Sequence, residues 1–505
     1  MTTLLLTALA LAADYDLLIT NARVVDGTGN PWYRASVAVK DGKIAAIGRL
    51  AEATATETID AQGRVLAPGF IDVHTHLEGS IELHPDAMNF HRDGVTTVIT
   101  GNCGSSHLDV AGFFNRISGK QFSVNIATFI GHNTVRREIM GAQKRPATPQ
   151  ELDRMRALVE KAMQAGAVGF STGLEYIPGT FAPTEEIIEL AKVAAKYGGV
   201  YASHMRDEGE KVIEAIEEAI NIGRQAKIPV EISHIKQDTK KFWGMSGKML
   251  EVIDAARREG IDVTVDQYPY IAYSTGIGLL VPSWAFAGGD GEFKKRLADP
   301  ATRAKLRQEV VDMNRRKAYD DFSYVTIANH RADPSLIGKT ITQIANGGDE
   351  AETILKLLEA GGGQGVFKAM SEADVERFLQ HPLVSVASDG SAVEFGSGQP
   401  HPRSYGTNAR VLSRYVRERG VIRLEEAIRK MTTLPAARFG LKGRGAIEVG
   451  YWADLVLFDP AKVNDQATFE KPHQYSNGFD VVLVNGKSQS DGKPPAGGQG
   501  LRHQP

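Results

Sequence analysis

The 505-residue chain lacks the features that mark nucleic-acid-binding and membrane-spanning proteins. Its 58 lysine and arginine residues are balanced by 61 aspartate and glutamate residues, leaving a formal net charge of −3. No basic stripe is present that could neutralise phosphates, so we expect no nucleic-acid partner. No segment has about 18 continuous apolar residues, so we expect no transmembrane segment. A hydrophobic content of 42% with 24% charged residues is instead typical of a globular protein.

Cysteine is the scarcest residue, because Cys103 is the only one in the chain. A single cysteine excludes any disulfide bond within the chain, so cysteine usage does not indicate the redox compartment. A lone cysteine is more often an inert buried residue than a ligand, and only its surroundings in the sequence can decide between these roles.

The N-terminus carries the one short apolar run that could be a targeting signal. Residues 1–13 read MTTLLLTALALAA, a run that ends in small residues but has no basic residues before it. It resembles the apolar region and cleavage site of a secretory signal, so we predict a signal-peptide remnant, with a frayed N-terminus as the alternative. A signal would place the protein in the periplasm or outside the cell, and without one we expect it in the cytoplasm.

Two kinds of pattern divide the rest of the chain. Residues 14–66 and 440–486 are strand-like, with hairpin signals such as Asp26-Gly27 and Asp41-Gly42, and we assign them to one small β-sandwich domain. Residues 67–439 alternate apolar strands with amphipathic helices, which predicts parallel strands joined by helical crossovers. Residues 487–505 are rich in glycine, proline and glutamine, and we expect a flexible tail.

Eight strand candidates lie within residues 67–439, and each ends in polar or ionisable residues. They are LAPGFIDVHTH, GVTTVITGNCG, SVNIATFIGHN, AVGFSTGLEY, GVYASHM, VEISHIK, DVTVDQYPY and LVSVASDGS. This number favours an α/β fold with a (β/α)8 TIM-type barrel, whose chemistry collects at the carboxyl ends of the strands. Residues from about 284 to 370 break the alternation, and we interpret them as an insertion between strands seven and eight.

Five of the eight strand ends carry side chains of the kinds that bind metals. These side chains are His74 and His76 on strand one, Cys103 on strand two, and His204, His234 and Asp389 on strands five, six and eight. His74 and His76 are two residues apart and can both face the barrel mouth. Thiolate and imidazole are good zinc ligands, so the set predicts a metal site. Four other histidines lack this placement as a group and are interpreted as structural, surface or supporting residues: His84, His91, His107 and His132.

The chain resembles the N-acyl-D-amino-acid deacylases (D-aminoacylases) of the metal-dependent amidohydrolase superfamily. The matching segments include TGNCG at residues 100–104, YASHMRDEGE at 201–210, ISHIK at 232–236, DQYPYIAYST at 266–275, SDG at 388–390 and HPRSYGT at 401–407. The resemblance extends from about residue 13 to residue 486. Many other amidohydrolases bridge two metals with a lysine on strand four, whereas AVGFSTGLEY contains no lysine.

The resemblance implies zinc-dependent hydrolysis of the amide bond of N-acyl-D-amino acids, or of dipeptides with a C-terminal D-residue. It implies a tightly held Zn2+ on Cys103, His204 and His234, and a second, weaker site around His74 and His76 that Cys103 and Asp389 could share. Asp389 would act as general base and then as general acid. The positions that hold the substrate carboxylate in the family correspond here to Arg403, Lys236, Tyr268 and Ser274.

The chain departs from the family pattern at two places, and there are two alternatives to the deacylase function. Leu77 and Glu78 stand where well-known members have acidic residues, and the stretch between Asp389 and Arg403 is longer than usual. Both lie near the pocket, so the preferred acyl group and side chain are not determined, and neither is the oligomeric state. The alternatives are a cyclic amidase related to hydantoinase or dihydroorotase, and a metal-free barrel that acts as an interaction protein. The missing lysine argues against the first, and the complete ligand set argues against the second.

Overall fold

A computed structural model describes residues 13–488 and 496–504 of the chain. The strands are β1 (Tyr15–Val24), β2 (Tyr33–Lys40), β3 (Lys43–Gly48), β4 (Ala55–Asp60), β5 (Val65–Pro68), β6 (Phe70–Asp72), β7 (Val95–Thr100), β8 (Asn125–Thr128), β9 (Ile130–Gly131), β10 (Gly169–Gly173), β11 (Val200–His204), β12 (Val230–Ile232), β13 (Val263–Gln267), β14 (Tyr273–Gly276), β15 (Val325–Asn329), β16 (Gln364–Phe367), β17 (Val384–Val386), β18 (Leu455–Phe458) and β19 (Phe479–Leu483).

The helices lie mainly between the barrel strands and in the insertion. They are α1 (Met88–His91), α2 (Val110–Ile117), α3 (His132–Met140), α4 (Pro149–Gln164), α5 (Thr184–Ala195), α6 (Val212–Ala226), α7 (Ser246–Arg258), α8 (Asp290–Ala298), α9 (Pro300–Arg316), α10 (Ile341–Ala345), α11 (Glu350–Glu359), α12 (Glu372–Gln380), α13 (Arg403–Arg410), α14 (Leu424–Met431) and α15 (Thr433–Arg438). A π-helical segment, Val411–Glu418, continues α13.

Eight parallel strands form the predicted barrel. Strands β6, β7 and β8 pair in that order, and β10, β11, β12, β13 and β17 form a second parallel run. The amide of Val168 donates to the carbonyl of Thr128 at 2.9 Å and joins the two runs on one side. On the other side the amide of Asp389 donates to the carbonyl of His74 at 2.8 Å. The prediction of a (β/α)8 barrel is confirmed, and each of the eight predicted segments contains one barrel strand.

The outer helices follow from local sequence signals and from an apolar stripe on each. Thr148 and Glu151 form a capping box at the start of α4, as the Thr-Pro-Gln-Glu pattern predicts. On α6 the side chains of Val212, Ile216 and Ile220 are buried, and they recur at the spacing that places them on one helix face. Burial of such stripes against the strands provides the apolar contact that holds each helix on the barrel.

Both chain ends contribute strands to one sheet, in the regions where we predicted a β-sandwich domain. Strands β1 to β5 and the C-terminal strands β18 and β19 belong to a single seven-stranded sheet. Strand β1 pairs with β4 along its first half and with β5 along its second half, and β18 adds next to β5. The sheet surrounds a core of its own, which includes Leu17, Ile19, Leu66 and Leu455.

The insertion between β13 and β17 starts earlier than the sequence indicated. We expected it to begin at about residue 284, but strands β14, β15 and β16 form a separate antiparallel sheet that begins at Tyr273. Ser274 and Thr275 on β14 pair with Val366 and Gly365 on β16. The boundary is wrong because β14 follows the barrel strand closely in sequence, and only its pairing with a strand about 90 residues later assigns it to the insertion.

The prediction of a flexible tail is wrong for residues 496–504. The carbonyl of Gln499 accepts from the amide of Ile126 at 2.8 Å, and the amide of Leu501 donates to the carbonyl of Ile126 at 2.7 Å. Gly498 permits this contact, because a Cβ atom there would lie 2.1 Å from the carbonyl of Val124. A composition typical of a loop does not show whether its backbone groups find partners elsewhere.

The predicted signal segment covers residues 1–13, of which 1–12 lie outside the described residues, and it stays a prediction. Among the helices of the described residues, none has the length and apolar character needed to cross a bilayer.

Candidate metal centre

The thiol of Cys103 lies at the centre of the predicted ligand set. Its Sγ atom is 3.3 Å from Nε2 of His74, 3.3 Å from Nε2 of His234 and 3.7 Å from Nδ1 of His204. Nδ1 of His204 and Nε2 of His234 are 2.9 Å apart. These residues end four different barrel strands, and all four side chains are buried. The fold therefore brings together the strand ends that the sequence singled out.

The Cys103, His204 and His234 atoms fit a tetrahedral zinc ion. Zinc bonds of about 2.3 Å to sulfur and about 2.0 Å to nitrogen would separate a sulfur and a nitrogen ligand by about 3.5 Å. The two Sγ to nitrogen distances in this cluster are 3.3 and 3.7 Å. Burial raises the pKa of the Cys103 thiol well above its ordinary value, and the charge of Asp389 adds to this effect. A bound zinc ion would instead favour the thiolate.

A second group of ligand atoms adjoins the first. His74, His76 and Cys103 offer atoms within 4.8 Å of one another, and His74, His234 and Asp389 form another such group. Oδ1 of Asp389 is 3.0 Å from Nε2 of His76 and 3.6 Å from Nε2 of His74. The predicted weaker site therefore has its ligand atoms close together and shares Cys103 with the first.

Three residues of this centre have a left-handed backbone. The φ angles are 50° at Cys103, 35° at His234 and 51° at Asp389. Such values are uncommon for residues other than glycine and persist only where the surrounding structure enforces them. Each of the three lies two or three residues after the end of a barrel strand, at the barrel mouth.

The metal centre opens into a cavity of about 720 Å3. The barrel contributes His76, Cys103, His234 and Asp389 to its floor. The insertion forms one wall through residues on β14, β15 and β16: Ser274, Thr275, Ala328, Asn329 and Gln364. The long stretch between Asp389 and Arg403 forms part of the rim with Val393, Glu394, Ser397 and Gln399. The insertion and the long stretch between Asp389 and Arg403 thus shape the entrance to the site.

Arg403 and Asp389 form an ion pair on the cavity floor. Nη1 of Arg403 is 2.8 Å from Oδ2 of Asp389, and the guanidinium lies 4.6 Å from the centre of the Tyr268 ring. Burial alone would raise the pKa of Asp389, but Arg403 and His74 lower it well below its ordinary value. The hydroxyl of Tyr268 is buried and has no hydrogen-bond partner among the described residues. Tyr268 lines a small pocket that adjoins the cavity and shares His234, Ser274 and Asp389 with it.

Lys236 and Ser274, the other predicted carboxylate-binding residues, already have partners. Nζ of Lys236 is 2.6 Å from Oε2 of Glu208 and 2.9 Å from Nδ1 of His234. The hydroxyl of Ser274 donates to the carbonyl of Gly365 at 3.0 Å, while its own carbonyl accepts from Nη2 of Arg403 at 3.3 Å. Arg403 and Ser274 line the cavity, whereas Lys236 and Tyr268 line a small adjoining pocket that shares Ser274 and Asp389 with it.

Three buried or half-buried carboxylates that sequence reasoning missed surround the histidines. Glu175 is 3.1 Å from Nε2 of His204, Glu208 is 3.1 Å from Nδ1 of His234, and Asp266 is 3.4 Å from Nδ1 of His74. Each lies at or shortly after the end of a barrel strand, and Glu208 and Asp266 lie within segments that resemble the deacylases. That position was the available signal, but it does not tell which histidine each carboxylate contacts.

The four histidines set aside in the sequence differ in their roles. His132 is 2.9 Å from the carboxylate of Glu186, and His107 contacts the carbonyl of Glu78 at 2.7 Å through Nε2. Burial lowers the pKa of His91 to about 4, which keeps it neutral. His84 lines the cavity.

Leu77 and Glu78, where the chain departs from the family pattern, lie next to the loop that carries Cys103. Leu77 is fully buried. The carboxylate of Glu78 accepts from the hydroxyl of Thr100 at 2.9 Å and also from the amide of Gly101. Gly101 lies two residues before Cys103, so Glu78 holds the loop that presents the thiol.

Metal-ligand side chains at the carboxyl ends of barrel strands, next to a buried carboxylate, define a metal-dependent hydrolase site. Comparison with known proteins supports this class. The model of the amidohydrolase family matches residues 57–488. A D-aminoacylase of Alcaligenes xylosoxydans xylosoxydans is 38% identical over 497 residues, which cover 94% of each chain. The chain therefore belongs to the amidohydrolase family.

Two similar solved structures carry the same architecture. The N-acyl-D-glutamate deacylase of Bordetella bronchiseptica, in complex with zinc and a phosphonate mimic of the tetrahedral intermediate, has a TM-score of 0.83 and 34% identity, covering 97% of this chain and 99% of its own. A D-aminoacylase with a binuclear metal centre, described as activated by one metal and attenuated by a second, has a TM-score of 0.83 and 35% identity, covering 97% and 100%. An L-hydantoinase from Arthrobacter aurescens, at 19% identity and a TM-score of 0.58 over 97% of this chain, shares the fold.

Proposed function

We propose that this protein is a zinc-dependent hydrolase that removes the acyl group from N-acyl-D-amino acids. The observation that carries the proposal is the cluster of Cys103, His204 and His234, of which Cys103 and His234 line a cavity that also holds the Asp389–Arg403 ion pair. One cavity thus contains side chains that can bind a Lewis-acidic metal, a group that can transfer a proton and a group that can bind a carboxylate. Relatives that act on N-acyl-D-amino acids, at 34–38% identity, support the substrate class.

Zinc would be held by Cys103, His204 and His234, with His74 and His76 next to a second, weaker site. When bound, zinc supplies a Lewis acid that polarises the amide carbonyl and makes an attacking water more acidic. The thiol and imidazole donors and their spacing suit zinc, and the likeness to a zinc-containing deacylase supports the choice of metal.

Asp389 is proposed to move the proton during hydrolysis. Arg403 and His74 keep its pKa low, so its carboxylate is ionised at neutral pH and can accept a proton from the attacking water. Its position at the cavity floor, 3.0 Å from Nε2 of His76, keeps it beside the metal ligands. The same carboxyl group would then return the proton to the nitrogen of the leaving D-amino acid.

The substrate carboxylate is proposed to bind between Arg403 and Tyr268. The guanidinium of Arg403 lies over the Tyr268 ring and can share its donors between Asp389 and a second carboxylate. The hydroxyl of Tyr268, which has no hydrogen-bond partner among the described residues, adds a donor in the small pocket that adjoins the cavity. Ser274 lines both the cavity and the adjoining small pocket that contains Lys236, and anchoring of the carboxylate there orients the α-carbon and favours one enantiomer.

The direct test is hydrolysis of a panel of N-acetyl-D- and N-acetyl-L-amino acids by protein of known zinc content. We expect release of D-amino acids only, activity that follows zinc content, and no opening of hydantoins. Equal rates on both enantiomers, or preferential opening of a cyclic amide, would contradict the proposed function. Dipeptides with a C-terminal D-residue belong in the same panel, because the cavity of about 720 Å3 exceeds the size of an acetyl group and one residue.

A further inference from the structure

A buried carboxylate, Glu208, lies between a proposed zinc ligand and a proposed substrate-binding residue. Its side chain is 4% exposed. Oε2 is 2.6 Å from Nζ of Lys236, and Oε1 is 3.1 Å from Nδ1 of His234. The backbone carbonyl of Glu208 accepts from the amide of Asp238 at 2.9 Å, so its loop is held as well. The cavity-based mechanism assigns no part to this carboxylate.

The two ring nitrogens of His234 face different neighbours. Nε2 faces the thiol of Cys103 at 3.3 Å, and Nδ1 faces Glu208 and Lys236. An imidazole that binds zinc through Nε2 carries its proton on Nδ1, and that proton needs an acceptor. The ammonium of Lys236 can only donate, so Glu208 is the acceptor within reach.

One carboxylate oxygen of Glu208 lacks a hydrogen bond from the described residues and can accept the proton on Nδ1 of His234. Oε1 is buried and has no hydrogen bond, although it lies within ion-pair distance of Nδ1 of His234. An N–H group on Nδ1 would satisfy it, and an unsatisfied buried carboxylate oxygen is costly. The same proton would end the contact of 2.9 Å between Nδ1 and the ammonium of Lys236, which would remain on Oε2.

Glu208 differs in this respect from Glu175, its counterpart at the neighbouring ligand. Glu175 is 3.1 Å from Nε2 of His204, the ring nitrogen that points away from Cys103. Both histidines therefore have a carboxylate on the outward side. Only Glu208 also neutralises a lysine that is itself 4% exposed, and a buried ammonium without a counter-charge is unfavourable.

We propose that Glu208 is a positioning residue that fixes His234 for zinc with one oxygen and holds Lys236 for the substrate carboxylate with the other. Zinc retention and recognition of the carboxylate would then depend on one buried side chain. The metal part of this inference rests on the ligand geometry, and the Lys236 part rests on the proposed function.

The test compares Glu208→Gln with Glu210→Gln, a matched change two residues further along the same loop at an exposed position. Zinc affinity is measured by competition with a chromophoric chelator, and KM is measured for an N-acetyl-D-amino acid and for its α-amide. In Glu208→Gln we expect zinc affinity to fall about 10- to 100-fold and KM for the free acid to rise about ten-fold, with a smaller change for the α-amide. Glu210→Gln should match the wild type in both measurements.

A second pair of variants separates the two halves of the role. Lys236→Met should raise KM for the free acid and leave zinc affinity unchanged, and adding Glu208→Gln to it should change KM less than the two single effects predict. If Glu208→Gln does not fold, as judged by circular dichroism and thermal unfolding, Glu208→Asp provides the measurement. We then expect Glu208→Asp to bind zinc more weakly than the wild type.

The outcomes distinguish this inference from the proposed function. Wild-type zinc affinity in Glu208→Gln, or in Glu208→Asp where only that variant folds, would overturn the positioning role. Equal KM changes for the free acid and the α-amide would overturn the link to Lys236. A wild-type protein that binds zinc but hydrolyses no N-acyl-D-amino acid would refute the proposed function, and the chelator competition would still decide the role of Glu208 at His234.

Discussion

The guanidinium of Arg403 contacts the carboxylate of Asp389 at 2.8 Å, so the group proposed to bind the substrate and the group proposed to move the proton form one ion pair. Both side chains are largely buried, at 5% and 9% exposure, which makes their mutual influence strong. A substrate carboxylate that reaches Arg403 must share its donors with Asp389. Substrate binding and the proton affinity of Asp389 are therefore linked, and changes at either residue should appear in both.

Replacement of Cys103 by alanine should remove the tightly held zinc. The thiol lies 3.3 to 3.7 Å from three histidines and belongs both to the group with His204 and His234 and to the group with His74 and His76. We expect Cys103→Ala to lose zinc and activity together, while circular dichroism shows the wild-type fold. Full zinc occupancy in this variant, measured by atomic emission, would rule out the thiol as a ligand.

Asp389→Asn should lose roughly 10²–10⁴ in kcat, the usual worth of a general acid–base group, because an amide cannot carry the proton. Zinc on Cys103, His204 and His234 should remain. Turnover of an N-acetyl-D-amino acid and zinc content are measured on the same sample. Glu394→Gln, a change at an exposed rim residue of the same stretch, serves as the control. Loss of zinc along with activity would show that Asp389 is chiefly a metal ligand.

Arg403→Met should impair free-acid substrates much more than their α-amides. Loss of the buried partner of a substrate carboxylate costs about 2–5 kcal/mol in transition-state binding. The ratio of kcat/KM for an N-acetyl-D-amino acid to that for its α-amide measures the interaction of Arg403 with the substrate carboxylate. Any indirect effect through Asp389 changes both values equally and cancels in the ratio. An unchanged ratio would mean that Arg403 acts only through Asp389.

The same Arg403→Met variant should also change the pH dependence of activity. Arg403 lowers the pKa of Asp389, so its removal raises that pKa. A base that must be ionised then becomes active only at higher pH, and the acidic limb of the kcat/KM profile should move to higher pH. The profile is measured with the α-amide, whose binding does not need the guanidinium. A limb at the wild-type position would contradict the assignment of Asp389 as the base.

The buried ion pair between Arg136 and Glu186 should contribute to stability only while Glu186 is ionised. Burial alone would raise the pKa of Glu186, but His132 and Arg136 lower it below its ordinary value. Its contribution is therefore present above the ordinary glutamate pKa of about 4.3 and is lost as the pH falls through the lower folded value. Glu186→Gln leaves Arg136 without a counter-charge and should cost about 3–5 kcal/mol at pH 7.

Urea unfolding of the wild type and of Glu186→Gln at pH 7 and at successively lower pH checks this prediction. The difference in unfolding free energy should be largest at neutral pH and should shrink in acid. A difference that stays constant with pH would show that the ion pair does not titrate with folding.

The barrel and the proposed ligands could be predicted because the signals are local. Apolar segments of strand length that end in His74, Cys103, His204, His234 or Asp389 identify both a strand and the place where its side chain emerges. The carboxyl ends of the parallel strands of a barrel lie on one face, so the residues that end them must meet. The resemblance to the deacylases added roles to these positions.

The contacts around the ligands could not be predicted in the same way. Glu208 and Lys236 are 28 residues apart, and no pattern between them indicates a contact of 2.6 Å. Lys317 of the insertion reaches Asp238 of the barrel at 2.6 Å, although the sequence indicated no contact between these regions. Such pairs depend on loop conformations that periodicity does not encode.

Sequence alone therefore determined the class of fold, the strand ends that carry chemistry and the residue types available for zinc. Only the tertiary structure decided that Arg403 pairs with Asp389, that Glu208 lies between His234 and Lys236, and that residues 496–504 dock beside β8. The physical reason is the range of the interactions. Strand and helix patterns arise between residues a few positions apart, whereas these contacts are set by closure of the barrel and by packing between segments that are distant in the chain.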